Sequence, residues 1–110
     1  MKPQYSFADS SSMDWEQYEA ASGVEIKKLP QANDQIMELY RFLPNTLFPD
    51  HQHKGPEFIY LLQGSARVDG IWVYAGWASA AETGTYDKNF LSGNKGCVFL
   101  TIYTTGSKYV

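Results

Sequence analysis

The two histidines of the chain, His51 and His53, stand one residue apart in the stretch DHQHKGPE, and Glu57 follows four residues later. On an extended backbone successive side chains alternate between faces, so the two imidazoles project side by side while Gln52 points away. Such a pair can chelate. The segment KGP at 54–56 bends the chain, and Glu57 then opens a strand in which Glu57, Ile59 and Leu61 share one face. Pairing of that strand near the preceding one carries the carboxylate in front of the imidazoles. Two imidazoles and one carboxylate on one side, with other positions open, suit a divalent ion: iron, zinc, manganese or nickel. An HxH pair in a polar stretch also occurs as plain surface, so the surrounding intervals must decide.

The elements that would position these residues are short and β-like. From Val24 onward the runs VEIKKL, QIMELYRFL, EFIYLLQG, SARVDGIWVYAG, WASAA and CVFLTIY recur at about ten-residue intervals, separated by Gly, Pro and Asn, which predicts an all-β sandwich or barrel. In LPNT at 43–46, Pro44 suits the first central position of a turn and Asn45 the second, where a positive φ is tolerated. Asp69-Gly70 between two β-prone runs predicts a type I′ hairpin. Gly64 is expected to end the strand FIYLLQ, and SGNKG at 92–96 to form a loop before the last strand. Residues 1–23 are polar and Ser-rich and read as an N-terminal arm, with MDWEQYEAA showing near-helical spacing of Met13, Trp15, Tyr18 and Ala21. Residues 24–110 form the β domain.

Bulk composition narrows the function classes. The 110 residues carry 12 acids against 9 bases, a formal charge of −3, with no basic run longer than Lys27-Lys28, so a nucleic-acid footprint is missing. No apolar run approaches a membrane span, and no apolar stretch follows the N-terminal lysine as in a secretory signal. A cytoplasmic protein with neither nucleic acid nor membrane as partner is expected. The one cysteine, Cys97, forms no internal disulfide and reads as a small buried hydrophobe.

The stretch from Asn45 to Leu91 resembles the two motifs of the cupin superfamily. Asn45, five residues, His51-Gln52-His53, three residues, Glu57, six residues and Gly64 reproduce every interval of the first motif, with Asn45 in place of its glycine. Gly76, five residues, Glu82-Thr83-Gly84, two residues and Asp87 keep the spacing of the second, but Glu82 stands for Pro, Asp87 for His and Leu91 for Asn. More narrowly, residues 24–104 resemble small cupins such as acetylacetone-cleaving dioxygenases and the cupin domain of zinc-binding anti-sigma factors. The resemblance implies a jelly-roll (double-stranded β-helix) barrel around one divalent metal, held by His51, His53 and Glu57, and several such proteins pair as homodimers. Asp87 stands where the dioxygenase has a third histidine. It is a further metal ligand, an acceptor for a ligand imidazole or bound water, or a loop residue beside Lys88.

By resemblance the chain is a metal-dependent oxygenase acting on a small carbonyl or dicarbonyl compound, with Glu57 and Tyr86 as the residues of catalytic interest. A phenol at Tyr86 would orient substrate or oxygen beside Asp87. The alternative is a non-catalytic ligand-binding or sensor cupin with a structural or vestigial metal. An isomerase that needs a His–Asp pair outside the motif is weakened, because no further histidine exists. Phe58, Tyr60, Trp72, Tyr74, Trp77 and Tyr86 either ring a small-molecule pocket or pack the strands, and packing is the reading preferred for all but Tyr86. Arg41 and Gln63 are further positions that could face a cavity.

Overall fold

Buried and outward side chains alternate along much of the long strands of the computed structural model, which describes residues 2–87 and 89–105, Asp87 by its backbone alone. Ten strands follow a 3-10 turn at Ser10–Ser12: β1 (Glu16–Gln17), β2 (Val24–Lys28), β3 (Gln35–Phe42), β4 (Leu47–Phe48), β5 (His51–Gln52), β6 (Glu57–Val68), β7 (Ile71–Tyr74), β8 (Ala78–Ala81), β9 (Tyr86–Asp87) and β10 (Phe90–Thr104). Their main sheet runs β1-β2-β3-β10-β6-β7, with β4 on β10 and β8 on β6, while β5 pairs with β9 separately. All of these pairings are antiparallel. The fold is an all-β cupin jelly roll. Among the described residues no helix is long and apolar enough to cross a membrane.

Inward positions on β3 and β10 set the core. Tyr40, Phe42, Phe48 and Phe99 are buried, and their rings, with that of Phe90, stack or tilt against one another at 5.0 to 5.7 Å. Val24, Ile26, Leu61 and Ala66 complete this apolar half. Register explains the grouping, since Tyr40 lies opposite Phe99 and Phe99 opposite Leu61, all on one face of neighbouring strands.

Several turns are as expected. Asp69 and Gly70 both have positive φ, 50° and 83°, and join β6 to β7 with Val68 opposite Ile71, which is the type I′ arrangement. Asn45 takes φ 52° in the turn before β4.

Three expectations are corrected. Gly64 does not end its strand: β6 continues to Val68, and Gly64, at φ +81°, sits where an added Cβ would lie 2.2 Å from Gly96 O. SGNKG is not a separate loop either, because β10 passes through it as a wide bulge between the pairs Ser92/Ala66 and Cys97/Gly64. There β10 exchanges one neighbour, β4, for another, β3, so the bulge is the corner at which the sheet turns. The segment MDWEQYEAA forms no helix; β1 pairs with β2 instead. Trp15 takes Lys27 Nζ at 4.7 Å and Arg41 Cζ at 4.6 Å over its ring, and Lys27 Nζ donates to Ser10 O at 2.7 Å. These cation–π and hydrogen-bond contacts override a weak local preference.

Two glycine substitutions separate backbone preference from crowding. Gly70→Ala meets nothing within 4 Å and should cost about 1 kcal/mol for the positive φ alone. Gly64→Ala, with the same sign of φ but a backbone oxygen in its path, should cost about 3 kcal/mol or more in urea unfolding. Equal losses would mean that the two glycines of the corner do not press on each other.

Candidate metal centre

Strand β5 is only two residues long, and what holds it is its partner β9: His51 lies opposite Asp87 and Gln52 opposite Tyr86. The chain continues to His53, whose N–H donates to Thr85 O at 2.9 Å and whose carbonyl accepts from Gly84 N–H at 2.8 Å. Alternation then works as the spacing requires. His51 and His53 are buried and Gln52 is exposed. After the bend at 54–56, Glu57 enters β6 facing inward with Leu61, and Ile59 half-buried between them.

Both rings are oriented by hydrogen bonds at Nδ1. His51 Nδ1 lies 3.0 Å from Pro49 O; a carbonyl only accepts, so this nitrogen carries the proton and Nε2 presents its lone pair. His53 Nδ1 lies 2.9 Å from Thr85 Oγ1, and that hydroxyl donates its own proton to Glu82 O at 2.8 Å. Thr85 therefore accepts from His53, which again leaves Nε2 as a lone pair. The turn that makes this possible is Glu82-Thr83-Gly84-Thr85, with Gly84 at φ +89°. Edge contact with Phe48, ring centroids 5.2 Å apart, braces His51 from a further side.

His53 Nε2 meets Glu57 Oε1 at 3.0 Å. The two residues are 1% and 3% exposed, so bulk water is excluded and, with the imidazole neutral, two electron-rich atoms face each other. That contact is repulsive unless a positive charge, a proton or a metal ion, lies between them. One donor atom each from His51, His53 and Glu57 falls within 4.8 Å of the others. The donor set, its burial and its fixed tautomers all fit a divalent metal, with Thr85 and Pro49 O as the outer partners that aim the imidazoles.

Beside His51 and Glu57 lies a chamber of about 20 Å³ walled by Tyr40, Phe42, Phe48, Ile59, Phe90 and Phe99. It has room for about one water-sized group. The backbone of Asp87 is directly opposite His51; its side chain lies outside the described residues, as does all of Lys88. Tyr86 is 56% exposed on the face of β9 that pairs with exposed Gln52. Phe58, Tyr60, Trp72 and Tyr74 are outward and exposed and Trp77 packs against the core, so none of these five rings the chamber. Arg41 binds Glu25 at 2.8 Å on the outer face, and Gln63 is exposed. Cys97 is buried and its thiol is pushed up to about 12 by desolvation, which removes it as a nucleophile.

Two features escaped the sequence reading. Thr85 carried no signal of its own. Glu38 did: it occupies an inward position of β3, between half-buried Met37 and Leu39, and alternation alone places a carboxylate inside the barrel there.

A search of curated proteins finds no match. Among solved structures, the polyketide cyclase RemF from Streptomyces resistomycificus aligns with TM-score 0.80 at 21% identity, over 97% of this chain and 86% of that one. An acetylacetone dioxygenase from Acinetobacter johnsonii aligns with TM-score 0.72 at 16% identity, over 94% and 75%. The anti-sigma protein ChrR of Rhodobacter sphaeroides, solved in complex with SigE, aligns with TM-score 0.71 at 24% identity, over 84% of this chain and 49% of that one. The chain thus spans about half the length of that relative. At these identities the likeness is one of fold. The family model for the ChrR cupin-like domain matches residues 3–104, and the chain belongs to that family of cupins.

Proposed function

We propose that this chain is a divalent-metal-binding cupin domain that holds its ion with His51, His53 and Glu57, and that it binds or senses a very small ligand there. The observation that carries this reading is the convergence of buried donor atoms from His51, His53 and Glu57 within 4.8 Å of one another. Asp87, opposite His51 in register, is proposed as a fourth ligand or as an acceptor for a bound water. When bound, the ion would supply Lewis acidity toward a small ligand. The chain's own residues do the rest: Pro49 O and Thr85 hold the imidazoles in one tautomer, and the aromatic walls exclude bulk water. A chamber of about 20 Å³ favours a water-sized ligand over an enclosed organic substrate.

The second reading is a metal-dependent oxygenase of small carbonyl or dicarbonyl compounds. Its support is the apolar chamber wall and the fold shared with an acetylacetone dioxygenase. In that reading Glu57 keeps its place at the ion, and Tyr86, on the exposed side of β9 next to Asp87, is the residue proposed to orient substrate or oxygen. Oxygen uptake with β-dicarbonyls under iron(II) separates the two.

A homodimer is proposed through the outer sheet face. Register aligns Ala80, Phe58 and Ile102 in one row and Ala78, Tyr60 and Leu100 in the next, without a charged side chain in either. Phe58 and Tyr60 are 52% and 47% exposed, whereas an antiparallel sheet facing water normally alternates to polar residues on that side. A second copy presents an equally flat, uncharged face.

Protein reconstituted with iron, manganese, nickel or zinc is expected to hold about one equivalent of at least one of them by elemental analysis. Thr85→Val, which removes the acceptor of His53 Nδ1–H together with the hydroxyl's own bond to Glu82 O, should weaken metal affinity by about 10- to 100-fold in competition with a chelator. Less than about a tenth of an equivalent with every metal would defeat the metal reading. For the dimer, sedimentation at micromolar concentration should give twice the chain mass, and Tyr60→Glu should halve it; a monomeric wild type refutes that face as an interface.

A further inference from the structure

A second polar cluster lies inside the barrel, apart from the metal ligands. Glu38 is 5% exposed, and the hydroxyls of Tyr40 and Tyr103, residues 2% and 6% exposed, donate to the same oxygen, Oε1, at 2.8 and 2.9 Å. The backbone carbonyl of Glu38 accepts from Thr101 Oγ1 at 3.3 Å. A carboxylate with two phenols on one oxygen is held in a single orientation, so no reorganisation is needed when a third group approaches.

Glu38 and Tyr103 also line a cleft of about 630 Å³ between β2, β3 and the segment around β1. Ile26 and Ile36 give it apolar wall, and Glu16, Glu19 and the exposed Lys28 stand around it. Three carboxylates against one ammonium make the field inside negative, and the charge at Glu38 is the desolvated one, where attraction is least screened. A metal is not the natural occupant. Among the described residues the one group of three potential metal ligands is that at His51, His53 and Glu57, and Glu38 does not belong to it.

We propose that this cleft is a second binding site, for a small organic cation: a primary ammonium seated on Glu38 with a short apolar body against Ile26 and Ile36. The size of the cleft suits such a molecule and the 20 Å³ metal chamber does not. The site needs no metal. Tyr40 nevertheless stands between the two, since it donates to Glu38 and walls the chamber beside His51 and Glu57.

Titration of chelator-treated protein with n-butylammonium, followed by amide NMR shifts, tests this apart from the metal reading. Saturable shifts are expected around β2, β3 and residues 16–20, at least about tenfold tighter for n-butylammonium than for n-butanol, and weakening as salt rises. Glu38→Gln should abolish that preference for the charged ligand. Since a buried substitution can impair folding, Lys28→Gln at the exposed rim supplies the second arm: removing a like charge there should tighten the amine about twofold or more. Absence of saturation, equal binding of amine and alcohol, or weaker amine binding in the Lys28 variant overturns the proposal.

Discussion

The structure turns on one contact: an imidazole nitrogen and a carboxylate oxygen 3.0 Å apart, both residues buried from bulk water. Neither group is placed by its own neighbours in sequence. His53 is aimed by Thr85, which is aimed in turn by Glu82 O, and Glu57 is aimed by its position as the first inward residue of β6. The chain of donors ends at a backbone carbonyl, so Nδ1 carries the proton of the neutral ring and Nε2 faces Glu57. The fold therefore brings an imidazole nitrogen and a carboxylate oxygen together in an arrangement that a positive charge, proton or metal ion, stabilises.

The barrel interior is divided so that this can be tolerated. One half is aromatic and aliphatic, with Tyr40, Phe42, Phe48 and Phe99 in ring contact, and it supplies the apolar burial that stabilises a 110-residue chain. The other half holds His51, His53, Glu57, Glu38 and Thr101, all buried. Tyr40 joins the halves, its ring stacked on Phe99 at 5.6 Å and its hydroxyl on Glu38. Buried polar groups impose specificity only when satisfied, and here phenols and a threonine satisfy Glu38.

What could be read from the sequence was what local geometry decides. HQH alternation, the inward run Glu57, Ile59, Leu61, the Asp69-Gly70 hairpin and the positive φ at Asn45 depend on a few consecutive residues, and each is as expected. What was misread depends on partners far along the chain. Gly64 looks like a strand end until Gly96 O is placed against it. SGNKG looks like a loop because only the exchange of β4 for β3 makes it a corner. The helical spacing around Trp15 yields to Lys27 and Arg41, twelve or more residues away. Thr85 was invisible because its role is a single hydrogen bond across 32 residues.

The arm then acquires a structural meaning that its composition hid. Lys27 and Arg41 belong to the outer side of β2 and β3, and the segment from Ser10 to Trp15 covers them through one hydrogen bond and two cation–π contacts. Farther along the same face, on β10, β6 and β8, the rows through Phe58 and Tyr60 carry no charge that such a segment could grip. A single sheet face is thus split by chemistry into a charged part closed within the chain and an apolar part left for another surface. Continuing the arm over Phe58 and Tyr60 would require apolar residues in it. The arm does carry two exposed aromatics, Tyr5 and Phe7, but they lie against each other, ring centroids 5.9 Å apart, and not on the sheet. In the proposed dimer a like surface would close the apolar part, since a flat uncharged face offers no polar group to select a different one.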